Sequence, residues 1–289
     1  MTYHRPVLVK EVLYWMNLKD YGVYCDCTVG GGGHLIAMLK EKKSARFIGI
    51  DFDPEAIAWT KGVMESYSQQ VQLFEENFVH IDLILNKAGI SEVDGILFDL
   101  GASYHQLTAP ERGFSFNNEG PLLMQMSPQV LPLYKKLQYA TKETISQVLR
   151  EYGDVDNPRR IAGLIYEHRK NLKTTLDLRN LVQRGVPRQF LTKNLHKVFQ
   201  AFRIWVNGEM ENLKIGIEKA IHFLKKGGRI IVISYHSGED RIVKEIFINY
   251  ERANFLKRLN KKVIRPSNCE IEENPSAKSA RMRVAERCE

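Results

Sequence analysis

The chain has few cysteines, and none stand in an arrangement tied to metal or redox chemistry. Cys25, Cys27, Cys269 and Cys288 form no C-x-x-C pair, and no histidine cluster stands at zinc spacing. This argues against a metal site and for reduced, mostly buried thiols. No apolar run reaches bilayer-spanning length, and the opening stretch MTYHRPVLVKEVLYWM lacks the basic-then-apolar order of a secretory signal. A soluble cytoplasmic protein is expected, with no membrane partner. Internal repeats and low-complexity tracts are also lacking.

Apolar residues make up 44% and charged residues 26% of the 289, an ordinary globular balance. The formal charge is +8. Such an excess fits a polyanionic partner, nucleic acid first, and fits a basic surface kept for solubility equally well.

Strand and helix signals alternate over the first hundred residues. GVYCDCTV (22–29), ARFIGID (45–51), VQLFEEN (71–77) and VDGILFDLG (93–101) read as strands. On the first of these, Cys25 and Cys27 share a face. HLIAMLKEKK and DPEAIAWTKGVMESY read as helices, the second with Asp53 as N-cap before Pro54. A further helix starts near Val79. This order predicts an α/β fold, a parallel sheet with helices on both faces. From about 105 to 205 only helical stretches are legible. Strand signals return at GRIIVISY (228–235), after a helix in GEMENLKIGIEKAIHFLKKGG, and RMRVAE reads as a final strand. A helical segment therefore interrupts the sheet after its fourth strand.

CDCTVGGGGHLIAM places four glycines between the first strand and a helix. Such a turn lets a ligand approach the backbone, beside the open N–H groups of a helix start. The spacing fails G-x-G-x-x-G, because the third position falls on Leu35 or Ile36. It also fails the P-loop, because His34 follows Gly33. Asp51 ends the second strand, where a carboxylate can accept ribose hydroxyls. Asp99 ends the fourth, and Asp26 adds a carboxylate on the first. A glycine turn without phosphate spacing, beside a ribose-seeking acid, points to a nucleoside ligand with little phosphate. S-adenosylmethionine fits that description. Ordinary turn chemistry is the competing account.

With these residues in place, the chain resembles the bacterial 16S rRNA (cytosine-N4)-methyltransferases of the RsmH/MraW family. The resemblance runs through HRPVLVKEVL, DCTVGGGGH, GIDFDPEAI, VDGILFDLGAS, QLTAPERGFSF, FQAFRIWVNGEMENL, RIIVISYHSGEDRIVK and NPSAKSARMRVAE. It implies a Rossmann-like S-adenosylmethionine-dependent methyltransferase sheet (1–104 and 205–289) with an inserted helical substrate-recognition domain (105–204). It also implies cofactor contacts from Gly32, Gly33, His34, Asp51, Phe78, Asp99 and Gln106. From the bare sequence, Phe78 is better read as core, and the competing account of Gln106 is a loop amide in water. A homodimer is plausible from the family.

The sequence departs from the family pattern in GPLLMQMS, where Leu123, Gln125 and Ser127 replace Asp, Arg and Asp. Leu35 stands where Ser is common, and Gly238 where Leu is usual.

The activity implied is methyl transfer to N4 of a cytidine in the decoding region of 16S rRNA, within the small ribosomal subunit. The exocyclic amine is a poor nucleophile, and Asp99 is the expected acceptor of its N–H bonds. The base must be unpaired or flipped. The sequence DLGAS replaces the D-P-P-Y type motif of many amino-methyltransferases. His236 is assigned to catalysis, and Glu239, Asp240, Arg241 and Lys244 to a polar substrate wall. Ser237 with Asp240 reads equally as a helix cap. The basic stretches NPRRIAG, QRGVPRQFLTKNLHK and LKRLNKKVIRPS are candidate phosphate contacts, while Tyr166, Phe190 and Phe199 fit helical core. Two rivals stand beside this reading: a weakened methyltransferase fold serving as an RNA-binding or assembly factor, and methyl transfer to a protein or small molecule.

Overall fold

The computed structural model describes residues 5–288; His4 of the N-terminal motif lies outside them. Seven strands form one sheet: β1 Val23–Asp26, β2 Arg46–Asp51, β3 Val71–Glu75, β4 Val93–Asp99, β5 Leu224–Ser234, β6 Leu256–Arg258 and β7 Arg281–Arg287. Their order is β3-β2-β1-β4-β5-β7-β6. The first five run parallel, and β7 lies antiparallel between β5 and β6.

Alternate residues of the central strands enter different cores, as the two-residue period requires. Ile96, Phe98, Ile230 and Val232 join one cluster. Leu97, Ile231 and Ile233 join the other. The connecting helices are α1 Val9–Met16, α2 Gly33–Glu41, α3 Pro54–Val63 and α4 Ile81–Lys87. Asp53 caps α3 as expected, accepting the Glu55 N–H at 3.0 Å. A cap of this kind is worth about 1 kcal/mol.

Several boundaries differ from the sequence reading: β3 and β4 end two residues earlier, and the inserted unit runs Ala102–Glu209 rather than 105–204. β1 stops at Asp26, so Cys27 lies beyond the strand, although both thiols are buried with sulfurs 3.7 Å apart. β5 begins at Leu224, inside the stretch read as helix, because a register shift between Val93 and Gly95 lets β4 pair with both Leu224 and Arg229.

The chain divides into two compact units. One runs to Gly101 and resumes at Met210; the other is Ala102–Glu209. The second holds α5 Tyr104–Thr108, α6 Leu133–Tyr139, α7 Lys142–Glu151, α8 Pro158–His168, α9 Thr175–Gly185 and α10 Leu191–Asn207. Its core recurs at helical spacing: Ile161 and Ile165; Leu178, Leu181 and Val182; Leu195, Val198 and Phe202. Phe199 is buried there as expected, but Phe190 stands 47% exposed. Leu122, Met124 and Ser127 of GPLLMQMS are buried. Their loop is tied by Asn207, which accepts the Met126 N–H and donates to Met124 O, both at 2.8 Å. Arg112 donates to the carbonyls of Gln125 and Met126 at 3.0 and 3.1 Å. The chain then continues through α11 Glu209–His222, α12 Ser237–Arg252 and α13 Asn268–Glu273.

Candidate active site

The site grows from the carboxyl ends of β1, β2 and β4, the crevice where open α/β sheets hold ligands. Gly30 and Gly32 have φ of +50 and +80, a left-handed backbone that glycine adopts without strain. Gly32 precedes α2, and no side chain caps that helix, so its first N–H groups face the rim open. Asp51 braces the turn. Its Oδ2 accepts the Gly30 N–H at 2.7 Å and its Oδ1 the Asp53 N–H at 2.9 Å. Burial raises the Asp51 carboxyl to about 6, even against the pull of these N–H groups.

Asp26, His34 and Asp99 form the centre. The Asp26 Oδ1 accepts the Thr28 N–H at 3.1 Å, while Oδ2 is buried without a hydrogen-bond partner. Burial lifts this carboxyl to about 7, opposed by the neighbouring His34 and the Thr28 N–H. His34 Nε2 lies 3.2 Å from Asp99 Oδ2, an ion-pair distance, but both ring nitrogens are buried without a hydrogen-bond partner. Burial alone lowers the His34 imidazole, but Asp99 and then Asp26 raise it above its ordinary value. Tyr235 completes the group by donating its hydroxyl to Asp99 Oδ1 at 2.9 Å. Burial, reinforced by the Asp99 charge, pushes the phenol well up, so it stays a donor.

The turn from β5 into α12 is built differently from the sequence reading. The capping residue is His236, not Ser237, and Glu239 is its partner. Glu239 is 3% exposed. Its Oε2 accepts the N–H groups of Tyr235 at 2.8 Å and His236 at 3.3 Å. Asp240 is bound by Arg283. Glu239 and Asp240 are therefore spent inside the fold, which leaves Arg241 and Lys244 as the exposed members of the expected substrate wall. Gly238 sits close to Met210, where a Cβ would fall 2.7 Å from its Cε.

Phe78 packs edge-on against Phe98, ring centroids 5.4 Å apart, and its ring fills the space beside Gly216. This is the core role favoured by the bare sequence. Gln106 belongs to the second unit, where it is buried and forms a reciprocal cap with Ser103. Thr28 and Tyr235 were not singled out by sequence reasoning. Only their places just past β1 and β5 mark them. Among the described residues, no group of three or more His, Cys, Asp or Glu is placed to hold a metal ion. No described helix is long and apolar enough to cross a membrane.

The sheet order, the reversed β7 and a carboxylate-rich rim without a phosphate cradle define a Rossmann-like methyltransferase rather than a dinucleotide-binding sheet. The chain belongs to the MraW methylase family, whose model matches residues 1–288. It is 41% identical over 284 residues to the ribosomal RNA small subunit methyltransferase H of Coprothermobacter proteolyticus, covering 97% of this chain and 95% of that protein. It is also 41% identical over 291 residues to the protein of the same name from Thermotoga neapolitana, covering 98% and 96%. Among solved structures, an rRNA methylase of Streptococcus thermophilus matches with TM-score 0.43 and 12% identity, covering 98% and 93%. The N-methyltransferase NodS of Bradyrhizobium japonicum matches with TM-score 0.46 and 8% identity, covering 97% and 94%. The chain is an enzyme of the methylase class.

Proposed function

We propose that this cytoplasmic enzyme methylates N4 of a cytidine in the decoding region of small-subunit rRNA, with S-adenosylmethionine as methyl donor. The names of its relatives support the rRNA substrate. The resemblance of DCTVGGGGH, VDGILFDLGAS and RIIVISYHSGEDRIVK supports the cytidine N4 target.

The observation that carries the reading is the uneven spread of charge. Ala102–Glu209 holds sixteen Lys and Arg against nine Asp and Glu, while the rest of the chain holds 26 against 25. The inserted unit thus carries +7 of the total +8. A cofactor-binding sheet that is nearly neutral, joined to a strongly basic helical unit, suits one small zwitterionic ligand and one polyanion.

The rim fits the cofactor. Asp26 offers a buried carboxylate oxygen without a partner, suited to an ammonium group. The uncapped start of α2 suits a carboxylate. Asp51 keeps lone pairs for ribose hydroxyls. Gly32, Gly33 and His34 let the ligand reach the backbone. S-adenosylmethionine supplies an electrophilic methyl on a sulfonium, which needs no metal. Asp99 accepts an N–H bond of the cytosine amine, which keeps the nitrogen lone pair out of the ring. It then takes the proton released as the new N–C bond forms. His236 lines the approach at the start of α12. Basic residues of the inserted unit hold the phosphates.

The test is transfer of labelled methyl to small subunits lacking the modification, with mass mapping of the product. N4-methylcytidine in the decoding region is expected. Bound cofactor with no transfer to RNA overturns the reading.

A further inference from the structure

We propose that Tyr235 is a positioning residue for methyl transfer, holding the Asp99 carboxylate from the side opposite His34. The inference rests on the proposed role of Asp99 and adds the device that aims it. The two Asp99 oxygens are divided between two neighbours, Oδ1 on the Tyr235 hydroxyl at 2.9 Å and Oδ2 beside His34 Nε2 at 3.2 Å. The imidazole stands at ion-pair distance without making a hydrogen bond, so the Tyr235 hydroxyl is the group that fixes the rotation of the carboxylate. Each oxygen still keeps a lone pair for an incoming N–H.

The tyrosine is itself fixed. Glu239 accepts its backbone N–H at 2.8 Å. Its ring lies over the backbone just past Asp99, where a Cβ on Gly101 would stand 3.4 Å from the ring. Leu100 N–H, bonded to Ile233 O at 3.0 Å, locks the two strand ends in register. Packing alone would be served by phenylalanine. The hydroxyl adds one interaction, and that interaction falls on Asp99.

A fixed, hydrogen-bonded carboxylate is a better acceptor because it needs no reorganisation when the amine arrives. Removing the donor leaves the carboxylate free to turn.

The experiment compares wild type, Tyr235→Phe, Asp99→Asn and the double variant in the full-length protein. Readouts are kcat and KM on small subunits, cofactor Kd and melting temperature. For Tyr235→Phe we expect kcat to fall about tenfold with KM for subunits unchanged. Cofactor Kd and melting should change little. Adding Tyr235→Phe to Asp99→Asn should cost nothing further.

An unchanged kcat overturns the proposal, as does full additivity in the double variant. So does a loss of kcat matched by an equal loss of cofactor binding or melting temperature, which marks a merely structural role. If wild type transfers no methyl to RNA, the proposed function fails instead, and a crystal structure lacking the Tyr235–Asp99 hydrogen bond overturns the positioning role on its own.

Discussion

Asp240 and Arg283 are joined by two hydrogen bonds, Nε to Oδ1 at 2.6 Å and Nη2 to Oδ2 at 3.1 Å, tying α12 to β7. The arginine side chain is 8% exposed and the aspartate 18%. Breaking such a pair strands a buried charge, at a cost of about 3 kcal/mol or more. Asp240→Ala should therefore lower the melting temperature by several degrees. A thermal melt checks this. Unchanged stability with a raised KM for subunits would return Asp240 to the substrate wall.

Asn207 secures the loop where the family's charged residues are absent. It is 4% exposed and bonded to Met124 and Met126. Asn207→Ala leaves a buried N–H and C=O without their partner, worth about 1–3 kcal/mol each at most. Denaturant unfolding should show the loss, with cofactor Kd unchanged.

The carboxyl of Asp26 sets a pH dependence of stability. Its folded value, about 7, lies above the ordinary 3.8. The folded state therefore holds the proton more tightly, and stability falls as pH rises from about 4 to 7. The full effect is on the order of 4 kcal/mol at most. Asp26→Asn should flatten that slope in melts between pH 4 and 8. Cofactor binding should run the other way, because an ammonium group favours the ionised carboxylate. Affinity should rise through pH 7 in wild type and lose that rise in the variant, as read by calorimetry.

Arg184, in the last turn of α9, and Arg188, between α9 and α10, stand exposed in a stretch from Leu178 to Gly208 that contains no Asp or Glu. Arg184→Glu with Arg188→Glu should raise KM for subunits about tenfold or more and reduce the salt dependence of binding. Cofactor Kd should not move. Filter binding over a salt series separates the two effects.

What the sequence made legible follows from local chemistry. Asp53 before Pro54 announced a cap, and the first four parallel strands stood out as short apolar runs between turns. The break after β4 showed as a change of period. The carboxylates at strand ends were legible because topology places ligands there. The β5–α12 turn was not. His236 with Glu239 and Ser237 with Asp240 offer the same spacing one residue apart, and the choice depends on where β5 ends. That end is set by pairing with β4 and β7, which no local window contains. Tyr235 was missed for the same reason, since its contact with Asp99 spans 136 residues of sequence. The cofactor contact that the resemblance implies for Phe78 shares its ring with a core contact to Phe98, which strand position alone does not reveal.

The reversed strand β7 has a consequence for how the protein is made. Ser234 of β5 pairs with Arg281 of β7 across 47 residues, so β5 leaves the ribosome well before its neighbour exists. On its other side, β5 pairs with β4, which was synthesised before the whole helical insert. This interior strand therefore waits twice, once for an old partner to be met and once for a late one to arrive. An unpaired β5 edge is a template for wrong pairing during that interval. Truncation within β7 should thus lower soluble yield far more than the few residues removed would suggest.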